Sequence, residues 1–294
     1  RWMFGSEALP AALFLALLYT VPESPRWLIR RGRIPEARSV FTRYAGAELA
    51  GVQIAEVLSA LALERDSLRE LFHRPWRRVL ALGLGLAVLQ QVTGINVFLY
   101  FAPDILQRIA GAAVDTALLQ TILVGAVNMG ATIVAIRTVD RWGRRPLLQI
   151  GYAGMGLALV ALGLGAFAER IATWTLLPIL AYIAAFAVSV GPVTWVVLAE
   201  IFPTRLRSRA MAIVTVALWT ANFIVSQTFP MMDHHPVLLQ RFHHGFPFLL
   251  YATMCAAALA LVAWGMPETR GRSLEQIERD WLRPLARDDE RINR

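Results

Sequence analysis

Seven apolar runs, each near the length that carries a helix across a bilayer, punctuate the chain. The first covers residues 4–21. Six more cover about 79–106, 118–139, 147–167, 174–201, 210–228 and 246–266, the run at 174–201 being interrupted by Gly191 and Pro192. Between the first and second runs the pattern changes. VPESPRWLIRRGR turns sharply polar, and EARSVFTRYA, VQIAEVLSALALE and SLRELF read as short amphipathic helices, with Ser67 and Glu70 at capping-box spacing. These stretches are too short and too charged to span, so residues 22–78 are expected to form a soluble helical segment on one membrane face. A polar tail, PETRGRSLEQIERDWLRP, follows the last run.

Arginine clusters separate the runs at alternate ends: Arg30/Arg31/Arg33, Arg77/Arg78, Arg141/Arg144/Arg145, Arg205/Arg207/Arg209 and Arg270/Arg272. Threaded through seven spans, all five fall on one side, and the opposite loops are poor in basic residues. The positive-inside rule makes that side cytoplasmic. The start of the first span is then external and the C-terminus cytoplasmic.

One run breaks the apolar pattern. Residues 90–100, QQVTGINVFLY, place Gln90, Gln91, Thr93 and Asn96 around Gly94, with Tyr100 one turn on. None of these polar groups carries a charge. Amides in hydrocarbon need partners, so they face a bundle interior or a wet cavity. They donate and accept at once, which suits a neutral polyhydroxy ligand; amides that bind helix to helix are the other reading. At about 100° per residue, Asn96 and Tyr100 share a face with Gln90 in reach, while Gln91 lies nearer the opposite side. A straight helix cannot aim all four at one point, and a break at Gly94 is expected to reconcile them. Trp195 and the Gly191–Pro192 pair likewise admit two readings, a packing aromatic beside a plain kink or part of a site. Trp2, Trp174 and Trp264 lie near span ends and read as interfacial anchors.

Composition agrees with the pattern. The chain is 56% hydrophobic and 17% charged over 294 residues, with mean hydropathy +0.50, values far from a soluble domain. The net charge of +8 comes from the interhelical arginines, so nucleic acid is not an expected partner. Cys255, inside the last run, has no second cysteine to pair with and reads as a small packing residue. His234, His235, His243 and His244 share one external loop, with only Asp233 beside them, and are read as a solvated loop without metal. No nucleophile–base pair or metal cluster lies in the spans, so neither a membrane enzyme nor a cofactor is expected. The chain opens on RWMFGSEALP, without Met or signal peptide, which reads as a cut through a longer protein.

Five stretches coincide in order: PESPRWL (22–28), QQVTGIN (90–96), DRWGRRP (140–146), GPVTWVVLAEIFPTRLR (191–207) and PETRG (267–271). Together they resemble the sugar porter family of the major facilitator superfamily, and the runs YTVPESPRWL, LLQTILVGAVN and TVDRWGRRPL resemble most its proton-coupled xylose branch. The resemblance implies an all-α membrane protein. Residues 79–266 would be the C-terminal six-helix bundle, 1–21 the last transmembrane helix of the N-terminal half, 22–78 an intracellular helical domain and 267–294 a cytoplasmic tail. Its partners would be a monosaccharide, the lipid bilayer and the remaining N-terminal helices of the same transporter.

By the same resemblance, Gln90, Gln91 and Asn96 hydrogen-bond sugar, Tyr100 closes the outer side, and Asn128 adds a polar contact. Trp195 lies against the sugar, and Trp219 and Asn222 line the cavity. An indole supplies an apolar plate and one N–H donor. The xylose branch carries glutamine just before Trp219, where this chain has Leu218, which puts the choice of sugar in question. Glu23, Arg26, Asp140, Arg141, Arg144, Arg145, Glu200, Glu268 and Arg270 are implied as cytoplasmic ion pairs that hold an outward-facing state closed inside. A topology signal with loose surface pairs, each worth under about 1 kcal/mol, is the other reading.

A proton-coupled carrier needs an ionisable group within the membrane. Glu7 and Asp104 lie towards outer ends and Asp140 and Glu200 at inner ends; the resemblance puts the proton-carrying acid on a helix outside these residues. The expected function is therefore alternating-access transport of a pentose or hexose, xylose-like favoured, across the cell inner membrane, proton-coupled in the full-length protein. A facilitative uniporter and a non-transporting sugar sensor are the alternatives. Residues 1–294 expressed alone are expected to insert but not to transport.

Overall fold

Apolar residues in runs of about 20 can satisfy their backbone in lipid only as helices, and helices are what the chain forms. The computed structural model describes residues 5, 8–63, 68–73, 76–109, 114–168, 175–203, 206–272 and 276. Trp2, Glu7, Ser67, Trp174, Arg205 and the tail beyond Gln276 lie outside the described residues. The chain divides into two compact units, Arg1–Ser67 and Leu68–Arg294.

The first unit contains α1 (Ala8–Leu18), α2 (Pro25–Arg30), α3 (Ile34–Ala45) and α4 (Ala47–Leu63). The expected first span appears as α1, 11 described residues exposed along their whole length. Helices α2, α3 and α4 close on a small core of Leu28, Ile29, Ala37 and Ile54. Pro25 and Pro35 start α2 and α3 at positions where a missing N–H costs nothing. At the start of α3, Arg33 grips Glu36 through two bonds of 2.7 and 2.6 Å. That hydrogen bonding holds the Glu36 carboxyl below its ordinary value. The Arg31 and Arg33 guanidiniums stand 5.4 and 5.8 Å from the Trp27 ring.

The second unit begins with a short 3₁₀ turn, Leu68–Phe72, where an α-helix was expected. It continues with α5 (Trp76–Val92), α6 (Ile95–Tyr100), α7 (Ala102–Ile109), α8 (Val114–Trp142), α9 (Arg144–Phe167) and α10 (Leu176–Ala185). After a π-helical turn (Phe186–Val190) come α11 (Gly191–Ile201), α12 (Arg207–Asp233), α13 (Pro236–Phe242) and α14 (Phe246–Gly265). Six stretches are long and apolar enough to cross a membrane: Trp76–Tyr100, Leu119–Trp142, Arg144–Phe167, Leu176–Ile201, Arg207–Asp233 and Phe246–Gly265. Several run past the apolar limits read from sequence. Polar flanks such as Arg144 and Arg207 continue the helix although they fall outside its apolar centre.

The core of this unit forms where α9 packs on α10 and α14, and α5 on α12 and α14. Tyr152, Met155, Tyr182, Phe98, Phe248 and Val197 are fully buried there. Large apolar side chains such as Ile122, Ile136, Leu157, Val216 and Trp264 are exposed on the outer faces. In water that much apolar surface would associate; against hydrocarbon it is solvated.

Two interruptions shape the interior. At Thr93–Gly94 the first long span stops and restarts, with Gly94 at φ +91°, a left-handed conformation that β-carbons disfavour. The expected break is therefore present. The second is the π turn at Phe186–Val190, immediately before Pro192. Proline has no N–H to give the preceding turn, and a π turn is a usual way to absorb that fault.

Candidate functional site

The break at Gly94 brings the amides together. Asn96 Nδ2 donates to Gln91 Oε1 at 2.7 Å and to Asn222 Oδ1, on α12, at 2.9 Å. Ser226 Oγ lies 3.4 Å from the same Asn222 oxygen. Both hydrogens of the Asn96 amide are thus committed inside the cluster. Among the described residues no hydrogen bond takes up the Asn96 oxygen or the amide nitrogens of Gln91 and Asn222, which keep their capacity to accept and donate. The helical wheel of a straight helix set Gln91 opposite Asn96; the left-handed residue between them turns the second half so that the two side chains meet.

Gln90 takes a different direction. Its Nε2 donates to the carbonyls of Val190 and Gly191, at 3.1 and 3.3 Å, where the π turn meets α11. Trp195 and Trp219 are 38% and 56% exposed, so each indole has a free face. Tyr100, at the end of α6, is exposed, and Asn128 is half-buried on α8. Among the described residues no hydrogen bond joins either of them to the amide cluster. Leu218 is buried, one turn before Asn222 on the same side of α12.

Two residues that support the break were not singled out from the sequence. Tyr182 Oη donates to the Thr93 carbonyl at 2.9 Å, and its ring stacks 4.6 Å from that of Phe98. The Tyr251 ring lies against Gly94 so closely that a β-carbon there would sit 2.5 Å from it. Thr93 Oγ1 completes the turn by donating to the Gln90 carbonyl at 2.8 Å. For Tyr182 the one signal in the sequence was a tyrosine in the middle of an apolar run, since a buried phenol usually finds a partner.

A charged cluster lies at the helix ends near Arg144. Arg144 donates to Glu200 in a two-bond, side-on contact, Nη2–Oε1 at 2.9 Å and Nε–Oε2 at 3.3 Å. Their side chains are 13% and 24% exposed, which sets them apart from a surface pair. Thr269 Oγ1 adds a bond to Glu200 at 2.6 Å, and exposed Asp140 reaches Arg144 at 3.1 Å. Among the described residues Arg145 and Glu268 have other partners than an ion pair. Arg145 Nη2 donates to the Ala263 carbonyl on α14. Glu268 instead caps α9 from outside the helix, accepting the backbone N–H groups of Arg144 and Arg145 at 3.0 and 3.1 Å. A carboxylate is favoured at that helix end by the unpaired amides and the macrodipole. Gly143 makes room: its φ is +90°, and a β-carbon there would lie 3.0 Å from Glu268 Oε2. Arg141 is exposed in the last turn of α8. Glu23 and Arg26 are exposed in the first unit.

In the histidine loop, His244 Nδ1 meets Asp233 at 2.7 Å and His234 Nδ1 meets the Pro230 carbonyl at 2.7 Å. Among the described residues no group of three His, Cys, Asp or Glu side chains is placed to hold a metal ion.

The family profile described as "Sugar (and other) transporter" matches residues 1–281. The chain is 45% identical over 282 residues to the D-xylose-proton symporter of Escherichia coli K12, covering 96% of this chain and 57% of that protein. It is 39% identical to the glucose facilitated diffusion protein of Zymomonas mobilis, covering 95% of this chain and 59% of the relative. The structure of the major facilitator superfamily proton:xylose symporter bound to 6-bromo-6-deoxy-D-glucose matches with a TM-score of 0.80 at 43% identity. That match covers 96% of this chain and 59% of the solved one. The chain thus spans a little under three-fifths of the length of these relatives.

Proposed function

The chain belongs to the sugar transporter family, a group of multi-pass membrane proteins, and from that premise we propose that it forms the larger part of a monosaccharide carrier working by alternating access. The observation that carries the proposal is the uncharged amide cluster of Gln91, Asn96 and Asn222 at a helix break in an apolar bundle. Such a cluster offers paired donors and acceptors to sugar hydroxyls and no charge to attract an ion. Trp195 and Trp219 add exposed indole faces for the sugar's C–H surface. The bundle at 79–266 is one half of the carrier, and it rocks against the other half around this site. Xylose is the favoured sugar, by likeness to the symporter. Leu218 replaces an amide with an apolar wall beside Asn222 and is the position where sugar choice departs from that relative.

Proton coupling is the favoured energetics, and facilitated diffusion is the second reading, supported by likeness to the glucose facilitator. Among the described residues the carboxylates of the six spans, Asp140, Glu200 and Asp233, all lie near helix ends. A proton carrier would therefore sit elsewhere in the transporter. The Arg clusters support, by the positive-inside rule, a cytoplasmic Arg144 end of the bundle and an external histidine loop.

The test is uptake by the full-length protein in liposomes, with D-xylose, L-arabinose and D-glucose compared, with and without a pH gradient. Gln91→Ala is expected to weaken sugar binding by about 0.5–1.5 kcal/mol, roughly twofold to tenfold, at unchanged expression. No saturable uptake of any sugar would overturn the reading. Uptake indifferent to the gradient would leave the facilitator.

The Arg144–Glu200 pair acts in this reading as part of the inner gate. Glu200→Gln keeps the shape but removes the charge that Arg144 and Thr269 share. The inward-facing population is expected to rise by about 1–2 kcal/mol, a fivefold to thirtyfold change, with sugar affinity nearly constant. Labelling of single cysteines from each membrane face measures it; an unmoved pattern would remove the pair from the gate.

A further inference from the structure

Gln90 is 2% exposed, yet it joins none of the other amides. An amide nitrogen has two hydrogens, and here the two backbone carbonyls of Val190 and Gly191 take them. Nothing remains to donate to a ligand. Among the described residues the buried Gln90 oxygen has no hydrogen-bond partner. The two carbonyls mark the joint where the π turn hands over to α11. This joint is short of backbone bonds, because a π turn shifts the register and Pro192 contributes no N–H. Side chains make up the difference: Thr194 Oγ1 donates to the Val190 carbonyl at 2.7 Å, and Ser189 Oγ to that of Ala185 at 2.5 Å. Those two bonds are local. The Gln90 bonds come from another helix, 100 residues away in the chain. The carbonyl of the same residue anchors Thr93 at the other helix break.

We propose that Gln90 is a strut between the two helix breaks: its nitrogen holds the α10–α11 joint, and its oxygen waits for a ligand hydroxyl. The second half rests on the sugar-transport reading; the first does not. A hydroxyl donating to the oxygen polarises the amide and strengthens what its N–H groups donate. A bound sugar therefore stiffens the joint from a distance, and Gln90 accepts from sugar without donating to it. Its role in transport is to report occupancy of the site to the joint in α10–α11.

Hydrogen exchange of the full-length protein tests the strut. Gln90→Leu removes the amide and leaves an apolar side chain that cannot donate or accept; Gln90→Met removes both ends with little change of length. Without sugar, amides of residues 186–195 are expected to exchange at least about fivefold faster in both variants, the factor for a single neutral hydrogen bond, of which each variant loses two. Exchange across α9 should stay as in the wild type. Saturating D-xylose should slow exchange at 186–195 in the wild type, and this response should vanish in Gln90→Met. Unchanged sugar-free exchange at 186–195 in both variants would overturn the strut, even if transport were lost. Equal acceleration across α9 would also overturn it, because Gln90 would then be ordinary packing. Faster exchange in a protein whose wild type binds no sugar would keep the strut and remove the transport reading.

Discussion

Gly94→Ala is expected to destabilise the full-length protein by about 2–5 kcal/mol and to abolish binding at the amide cluster. Two costs add. Gly94 has φ +91°, where a β-carbon costs about 1–2 kcal/mol on backbone sterics alone. The new methyl would also sit 2.5 Å from Tyr251 Cδ2, and forcing one carbon into a packed core costs about 1–3 kcal/mol more. The Tyr251 ring is itself buried, so it has nowhere to swing. Relief would come from straightening α5 into α6, which turns Asn96 away from Gln91 and Asn222. The denaturation midpoint of the purified variant measures the first effect and calorimetric titration with sugar the second. A double variant with Tyr251→Leu separates them. It should recover the steric part and leave the backbone part. A Gly94→Ala protein that melts and binds like the wild type would mean that the break is not required.

Asn96→Ala is the second large effect. Asn96 spends both amide hydrogens on Gln91 and Asn222, so truncation strands the Gln91 oxygen and leaves that of Asn222 with only the long bond from Ser226. Each costs about 1–3 kcal/mol if water does not reach it. The site is partly exposed at Asn96 itself, so water should recover part of this. Sugar affinity is expected to fall tenfold to a hundredfold, about 1.4–2.7 kcal/mol, because Gln91 and Asn222 lose the hub that orients them. The loss should exceed that in Gln91→Ala, which removes one bond. The order of the two variants in titration calorimetry is the check, and equal losses would deny Asn96 its central place.

The membrane spans and the helical segment before them could be read along the chain because hydrophobicity and charge are local properties. A run of apolar residues is a span whatever it packs against, and an arginine between runs marks a side. The break at Gly94 was legible in the same way, since amides in an apolar helix must be brought to partners and glycine is where the backbone can turn. Motif spacing located Arg144, Glu200 and Glu268 at neighbouring helix ends. It did not distinguish a guanidinium pair from a helix cap, because both need an acid near an arginine.

The partners themselves belong to the tertiary structure. Asn96 and Asn222 are 126 residues apart, and Gln90 and Val190 100. Which meets which depends on how far each helix is rotated and raised against its neighbour. That rotation is set by packing along the whole contact, not by the residues that meet. Gln90 and Gln91 are adjacent and chemically identical, and the helical period set Gln90, not Gln91, beside Asn96. The break at Gly94 reverses this: Gln91 joins Asn96 in the amide cluster, and Gln90 reaches a joint of another helix. Tyr182 and Tyr251 looked like any aromatics in apolar runs until packing placed one on the Thr93 carbonyl and the other on Gly94. Sequence alone determined that this is a helical membrane protein with uncharged polar chemistry in its interior. Only the packed bundle decided which of those groups hold the helices and which keep unspent donors and acceptors, because a hydrogen bond is satisfied in three dimensions and a side chain has only so many to give.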